Sequence, residues 1–515
     1  MYETLPNHSV SPSIRWRPAM TTTAAAQAVS SEFPKTRQFT GINRPGRVES
    51  DVLSLEIEGR IPPQVAGVLY RCGPDPAFPP RAGDDIYING DGMVYMFVLA
   101  EGRADVRTRY VRTDKFNAER DARRALFGAY RNPYTDDPSV AGVDRTTANT
   151  SMVWHGNQLF AIKEDGLAHR LDPMTLRTLG KHDFGGRLRS KTMTAHPKID
   201  PLTGEWVFFG YSANGELSSD IAVGSASASG RLTDEQWLLP PYQSMVHDWA
   251  VTQEHSILPV MPLTTDVERV RAGGPRWAWE PGQTTHLGIL PRRGSVEDIV
   301  YFDGPAQWSF HTMNSFTEGP LVHIDLCVSE VAPLPDTLGQ PFDPARVTQY
   351  LTRWTCDTSR GGGDFEQRRL LDGIHVDFPE IDQRFQTLNY RHGFLGGRDM
   401  SKPVNEEIAK GVWFNTLIHL DHLTGESERW YAGDDSNVQE PVFIPRSDDA
   451  PEGDGFLVAL VNRFPDEKTD LVVLDTARLT DGPIATVHIP LHIRPTFHGL
   501  WVSAEELGQL PDLRA

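Results

Sequence analysis

From about residue 50 to the C-terminus, short β-forming runs alternate with turn signals at fairly even intervals. The recurring unit is a strand ending in Leu-Asp, a turn and a second strand. It is seen in Ala168-His169-Arg170-Leu171-Asp172-Pro173, in His419-Leu420-Asp421-His422-Leu423-Thr424-Gly425-Glu426 and in Leu471-Val472-Val473-Leu474-Asp475. Asp200-Pro201-Leu202-Thr203-Gly204 has the same turn chemistry: Asp opens it, Pro presets φ and Gly supplies the left-handed position. The apolar run Trp206-Val207-Phe208-Phe209-Gly210-Tyr211 then reads as a strand. Asn89-Gly90-Asp91-Gly92 reads as a hairpin turn. Helical pattern is sparse and best at 121–129 and 344–354. One grammar sustained over roughly 470 residues is too long for a two-sheet sandwich. It predicts an all-β fold, a β-propeller with long loops and a few short helices capping one face. The 44 glycines and 39 prolines suit such a turn-rich chain. Residues 1–45 mix Ser, Thr, Ala and Pro without periodicity and read as a flexible arm, leaving 46–515 as one propeller domain.

Charge and cysteine content exclude several functions. A formal net charge of −19 argues against a nucleic-acid surface, which needs clustered Lys and Arg. Cys72, Cys327 and Cys356 are far apart with no CxxC, so neither a disulfide framework nor a zinc ribbon is expected, and a reducing, cytoplasmic setting is. No apolar run approaches the roughly 18 residues of a membrane span.

Four histidines share a setting. His196, in Thr194-Ala195-His196-Pro197-Lys198, precedes a hairpin. His247, in Met245-Val246-His247-Asp248, and His311, in Phe310-His311-Thr312-Met313, open β-type runs. His498, in Phe497-His498-Gly499-Leu500-Trp501, lies near the C-terminus. Intervals of 51 and 64 residues match one blade each, and 187 matches several. Equivalent blade positions converge on a propeller axis, where four imidazoles would make a metal site. Spacing alone does not establish this, because 17 histidines offer many such sets.

The local sequences carry the case further. The four histidine segments, with Gly90-Asp91-Gly92-Met93, Asp377-Phe378-Pro379-Glu380-Ile381-Asp382 and Glu440-Pro441-Val442-Phe443-Ile444-Pro445-Arg446, together resemble the carotenoid cleavage oxygenases from about residue 50 to the end. The resemblance implies a seven-bladed propeller with Fe(II) on its axis, held by His196, His247, His311 and His498. It further implies that O2 is used to split a carbon–carbon double bond into two carbonyls. Neutral imidazole suits Fe(II), and carboxylates accepting the far ring N–H of each ligand would fix its tautomer. By resemblance these are Glu164, Glu440 and, where the family pattern is Glu-Phe-Pro, Asp377. Asp377 is one methylene shorter than glutamate, so Glu380 is the alternative. Thr150, in Ala148-Asn149-Thr150-Ser151, resembles the threonine whose methyl crowds an open iron position.

Within the family, Leu126-Phe127-Gly128-Ala129-Tyr130-Arg131 resembles the lignostilbene and resveratrol branch. There a Tyr and a Lys bind the 4′-hydroxyl of a stilbene, here Tyr130 and Lys163, with Tyr134 the competing tyrosine. A phenol held this way can lose its proton and push electron density into the conjugated alkene. A carotenoid has no phenol, and a lysine facing its tunnel would be a costly buried charge. The implied partners are a small aromatic substrate and O2. The implied reaction is cleavage of a 4′-hydroxystilbene such as resveratrol or piceatannol to two aromatic aldehydes. An apocarotenoid cleaver is the alternative enzyme, and a metal-free interaction platform the alternative of another class.

Overall fold

The computed structural model describes residues 32–406, 413–464 and 466–514. Seven sheets of four to six strands, antiparallel except where Val300–Gly304 pairs parallel with Gly363–Asp364, form the blades of a propeller, and a two-stranded ribbon, Leu263–Thr264 with Ala278–Trp279, stands beside them. Strands in the middle of a blade are buried on both faces, as every residue of Gly67–Pro74 is, because blades pack face to face. Outer strands carry charge instead. Glu366–Arg369, at the rim of its blade, is exposed throughout, which discourages edge-to-edge pairing.

The ring closes by exchange of chain ends. The C-terminal strand Gly499–Ser503 pairs with Gly67–Pro74 in the first blade, and Glu56–Gly59 pairs with Ala485–Ile489 in the last. The inner strands are Ser151–His155, Lys198–Ile199, Ala250–Val251, Trp308–Glu318, Ile374–Ile381, Val442–Pro445 and Gly499–Ser503. Neighbouring inner strands touch, as Trp308–Glu318 does with Ile374–Ile381.

The repeated turn is built as its residues dictate. Asp200 Oδ1 accepts Leu202 N at 2.9 Å, its carbonyl accepts Gly204 N at 2.8 Å, and Gly204 has φ +67°. Asp421 does the same for Leu423 and Gly425. Asp172 repeats it with Leu176 at φ +60° in the glycine position.

Three local expectations are corrected. The helix expected at 121–129 is Asp114–Ala122: Thr113 caps it through Phe116 N, and Arg123 ends it in the left-handed region. The residues beyond it are drawn off by Glu119, whose carboxylate accepts Leu126 N and Phe127 N. The helix expected at 344–354 is a short turn, Pro344–Val347, followed by the strand Tyr350–Asp357, where β-forming residues pair with Leu321–Ser329. Gly90 and Gly92 do not form a hairpin turn. Gly92 opens the strand Gly92–Ala100, and a Cβ there would lie 2.4 Å from the Thr147 carbonyl, so close backbone approach requires the glycine.

Of the arm expected over 1–45, residues 1–31 lie outside the described residues. Phe39, Ile42 and Asn43 are buried, so packed structure begins before residue 46. Arg494, fully buried, donates to the carbonyls of Gln38, Asn43 and Pro74 at 2.5, 2.8 and 2.8 Å. All three cysteines are buried and free. Among the described residues no helix is long and apolar enough to cross a membrane.

Arg494→Met leaves three buried carbonyls without their charged donor and should cost about 3 kcal/mol. Guanidinium chloride unfolding should show a lowered midpoint, with early proteolytic cutting near residues 38–43. An unchanged midpoint would remove Arg494 as the staple.

Candidate metal centre

Six of the seven inner strands bring a histidine or carboxylate to one cluster, and the seventh places Thr150 beside His498 through its backbone carbonyl. Thr150, His196, His247, Glu440 and His498 lie one to three residues ahead of their strands, and His311 and Asp377 lie within theirs. The two strands that carry their residue internally lose ladder register at that place, between Ser309 and Asn314 and between Asp377 and Glu380. Such bulges re-aim a side chain out of the pleat. Asp248 braces three neighbouring segments, accepting Lys198 Nζ at 2.9 Å, Trp249 N at 2.7 Å and Thr312 N at 2.7 Å. Trp249 Nε1 donates to the His196 carbonyl at 3.0 Å, and Thr194 Oγ1 accepts His196 N at 2.9 Å.

The result is a cluster of four imidazoles, His196, His247, His311 and His498, whose ligand atoms all lie within 4.8 Å of one another. His196 Nε2 and His247 Nε2 are 3.1 Å apart. The rings stand edge to face, with His196 centroids 4.7, 5.3 and 4.5 Å from those of His247, His311 and His498.

Three of the four have a carboxylate at the far nitrogen. His311 Nδ1 is 2.7 Å from Asp377 Oδ1, and His498 Nδ1 is 2.6 Å from Glu440 Oε1. His247 Nδ1 is 3.0 Å from Glu164 Oε2, a close contact that is not aligned as a hydrogen bond. The shorter side chain at Asp377 therefore reaches His311. Glu380 donates nothing to this network. It bonds Gln383 instead, and burial with the nearby Glu440 charge pushes its carboxyl up to about 8. At neutral pH it is largely protonated and could not serve as an anionic brace.

Burial favours the neutral form of two of the imidazoles. Burial, then repulsion from His498, His247 and His311, holds His196 well below the ordinary histidine range. Burial also lowers His498, against the pull of Glu440. Burial opposes protonation of His311 too, but Asp377 outweighs it and raises that ring. Asp377, Glu164 and Glu440 are buried, yet each stays below the usual carboxylate range because a histidine faces it, with Arg131 assisting Glu164 and Arg71 assisting Glu440. Four imidazole ligand atoms around one point, with carboxylates facing the far nitrogens of three of the rings, is the donor set of a divalent transition metal. The residues present fit Fe(II).

The remaining candidate residues lie around this centre. Thr150 is buried, and its carbonyl accepts His498 N at 3.2 Å. Lys163 is buried, with Nζ 2.9 Å from Thr147 Oγ1, 3.3 Å from Asp165 Oδ2 and 5.2 Å from the Tyr130 ring centroid. Burial, then the Glu164 charge, raises the Tyr130 hydroxyl well above the usual phenol range, so Tyr130 stays neutral. Tyr134 is half exposed on a surface turn, where its hydroxyl meets Arg271. Sequence reasoning missed Arg71 and Arg131, both fully buried behind the carboxylates. A signal existed for Arg71, a lone charge inside the apolar run Val68-Leu69-Tyr70-Arg71-Cys72. Phe378 stacks on His311 at 5.1 Å with φ +51°.

Comparison with known proteins gives a consistent picture. The family model described as RPE65, retinal pigment epithelial membrane protein, matches residues 43–503. Isoeugenol monooxygenase of Pseudomonas putida is 43% identical over 90% of this chain and 98% of its own. Resveratrol cleavage oxygenase 1 of Aspergillus fumigatus is 40% identical over 93% and 98%. The crystal structure of Pseudomonas brassicacearum lignostilbene dioxygenase superimposes with a TM-score of 0.89 at 41% identity, covering 92% of this chain and 100% of that one.

Asp377→Asn removes an acceptor charge from His311 and should weaken Fe(II) binding about 10- to 100-fold in chelator competition. Glu380→Gln should leave that affinity unchanged. It should also flatten a loss of folding stability that sets in above the ordinary carboxyl value of 4.5 and continues until pH passes about 8, since a raised pKa stabilises only below the ordinary value. Equal effects of the two substitutions would overturn the assignment of Asp377 over Glu380.

Proposed function

The chain belongs to the RPE65, or carotenoid oxygenase, family and is an oxygenase that cleaves carbon–carbon double bonds, and from that premise we propose that it cleaves 4-hydroxyphenyl alkenes, 4′-hydroxystilbenes such as resveratrol and piceatannol first among them. Fe(II) would be held by His196, His247, His311 and His498, and when bound it supplies the redox chemistry that lets O2 react with an alkene. The balance is one stilbene plus one O2 to two aromatic aldehydes.

One observation carries the substrate reading. Lys163 is buried, and only two of its three N–H donors have partners among the described residues, Thr147 and Asp165. A buried ammonium with a free donor calls for an acceptor. It stands beside the ring of Tyr130 and one residue before Glu164, the carboxylate behind His247. A substrate 4-hydroxyl placed between Lys163 and Tyr130 meets that donor. Lys163 favours the phenolate by charge, while the neutral Tyr130 can donate its proton to the same oxygen. The phenolate then feeds electron density through the ring into the para alkene. An apocarotenoid has no phenol to ionise: a terminal carbonyl could accept the Lys163 donor but could not become the phenolate that feeds the alkene. Thr150, at the inner edge of its blade beside His498, would restrict access at the metal.

A second reading is favoured by the relative named isoeugenol monooxygenase. A propenylphenol also carries its double bond para to a hydroxyl, and its cleavage would give an aromatic aldehyde and acetaldehyde. The buried, unpaired cysteines support work in a reducing compartment such as the cytoplasm.

Aerobic incubation of the Fe(II)-loaded protein with resveratrol, its 4′-methyl ether, isoeugenol and β-apo-8′-carotenal, read by liquid chromatography, tests this. Expected are 4-hydroxybenzaldehyde and 3,5-dihydroxybenzaldehyde from resveratrol, with kcat/KM lower on the order of 10²-fold or more for the methyl ether and for Lys163→Met. Cleavage of the methyl ether at the resveratrol rate, or undiminished turnover by Lys163→Met, would overturn the phenol reading. Preference for isoeugenol would select the second.

A further inference from the structure

Behind the histidines, two buried arginines end two different lines of contact. On one side Arg71 Nη1 lies 3.5 Å from Glu440 Oε2 and donates to the Glu440 carbonyl at 3.0 Å. The Gly499 N–H also holds Oε2, at 2.6 Å, and Oε1 faces His498. This brace is direct and built from backbone as well as charge.

The other side is arranged differently. Arg131 Nη1 donates to the Tyr211 hydroxyl at 2.5 Å, Tyr211 donates to Glu164 Oε1 at 3.1 Å, and Glu164 Oε2 lies 3.0 Å from His247 Nδ1. Here a rotatable hydroxyl stands between the cation and the carboxylate. Tyr211 and Arg131 are both buried, and the guanidinium also covers the Tyr211 ring at 5.0 Å. Nε and Nη2 of Arg131 have no hydrogen-bond partner among the described residues. Glu216 Oε1, 3.8 Å from Nε, is beyond hydrogen-bond range. Arg131 directly follows Tyr130 in the chain, and its charge acts on the Tyr130 hydroxyl. The same arginine therefore borders both the Tyr130–Lys163 pair and the line that ends at His247.

We propose that Tyr211, anchored by Arg131, is a positioning residue that holds Glu164 against His247 and couples the phenol end of the cleft to the metal centre. The positioning half stands on the contacts above, and the coupling half rests on the phenol reading under Proposed function. Polarised by Arg131, the Tyr211 hydroxyl is a stronger donor to Glu164. A phenolate at Lys163 and Tyr130 competes for the free N–H groups of Arg131 and weakens that donation. Glu164 becomes a stronger acceptor for the His247 N–H, and His247 a more electron-rich ligand. The unaligned Glu164–His247 contact is the brace with room to respond.

The test uses the full chain and Co(II), titrated against a competing chelator, with visible spectra recorded with and without p-cresol, a phenol that has no double bond to cleave. Tyr211→Phe should weaken Co(II) binding about tenfold. In the unsubstituted protein p-cresol should shift the Co(II) bands. In Tyr211→Phe it should still bind by calorimetry but leave the bands in place. Unchanged Co(II) affinity and an unchanged p-cresol shift in Tyr211→Phe would overturn the proposal. Weakened Co(II) binding with no p-cresol binding to the unsubstituted protein would overturn the coupling and the phenol reading, and still support positioning. If Tyr211→Phe does not fold, Arg131→Lys serves instead. Its shift should fall by half or more, and a full shift would overturn the relay.

Discussion

Four imidazoles must be brought into a desolvated space around one point, and most of the buried polar structure follows from that requirement. A neutral imidazole that offers Nε2 to a metal needs an acceptor at Nδ1. Asp377, Glu164 and Glu440 provide it for three of the rings. Each buried carboxylate is itself costly unless charge and hydrogen bonds compensate it. Arg71 lies behind Glu440, and Arg131, through Tyr211, lies behind Glu164. His196 has no carboxylate against it among the described residues. Its backbone is clamped instead, by Thr194 Oγ1 and Trp249 Nε1. The cluster is thus held by three charge-compensated rings and one ring fixed through its main chain.

Ring closure is what makes the set complete. His498 lies one residue before the C-terminal strand, which enters the first blade rather than the last. His498 N bonds to the Thr150 carbonyl, so the closing strand is stitched to the next blade at the residue that reaches the axis. Opening the propeller would remove a ligand along with a strand. Stability of the fold and assembly of the centre are therefore the same event at this seam.

The four histidines could be singled out because each sits in a short segment that resembles a family's, and the structure brings those four together. The turn Asp-x-x-x-Gly was legible for a local reason: one aspartate organises it through contacts within five residues. What was not legible depended on distant partners. The residues after Ala122 have helix-forming composition, but Glu119 captures their N–H groups and the helix ends early. Gly90 and Gly92 look like turn glycines, yet close approach of the backbone at Pro74 and Thr147 requires them. The role of Arg131 comes from Tyr211, 80 residues away, and no local pattern announces that pairing.

The pairing of Lys163 with Glu164 has a consequence for substrate shape. The strand Gln158–Ile162 ends immediately before them, and they lie in the turn that follows, where Gly166 N donates to the Lys163 carbonyl at 3.4 Å. Lys163 reaches Thr147, Asp165 and the Tyr130 ring, while Glu164 reaches His247 and Tyr211. On the proposed phenol reading, two adjacent residues of one turn mark both the phenol end and the metal end, and their adjacency along the chain limits how far those ends can separate. A limited separation suits a substrate whose double bond stands at a fixed distance from its hydroxyl. That holds for a 4-hydroxystilbene and for a propenylphenol alike, because both carry the alkene directly para to the oxygen. It does not hold for a polyene, which offers many similar double bonds and no phenol oxygen directly para to one of them. On this argument the second aryl ring is the adjustable part of the substrate, and discrimination among 4-hydroxyaryl alkenes falls to whatever lines the far side of the metal.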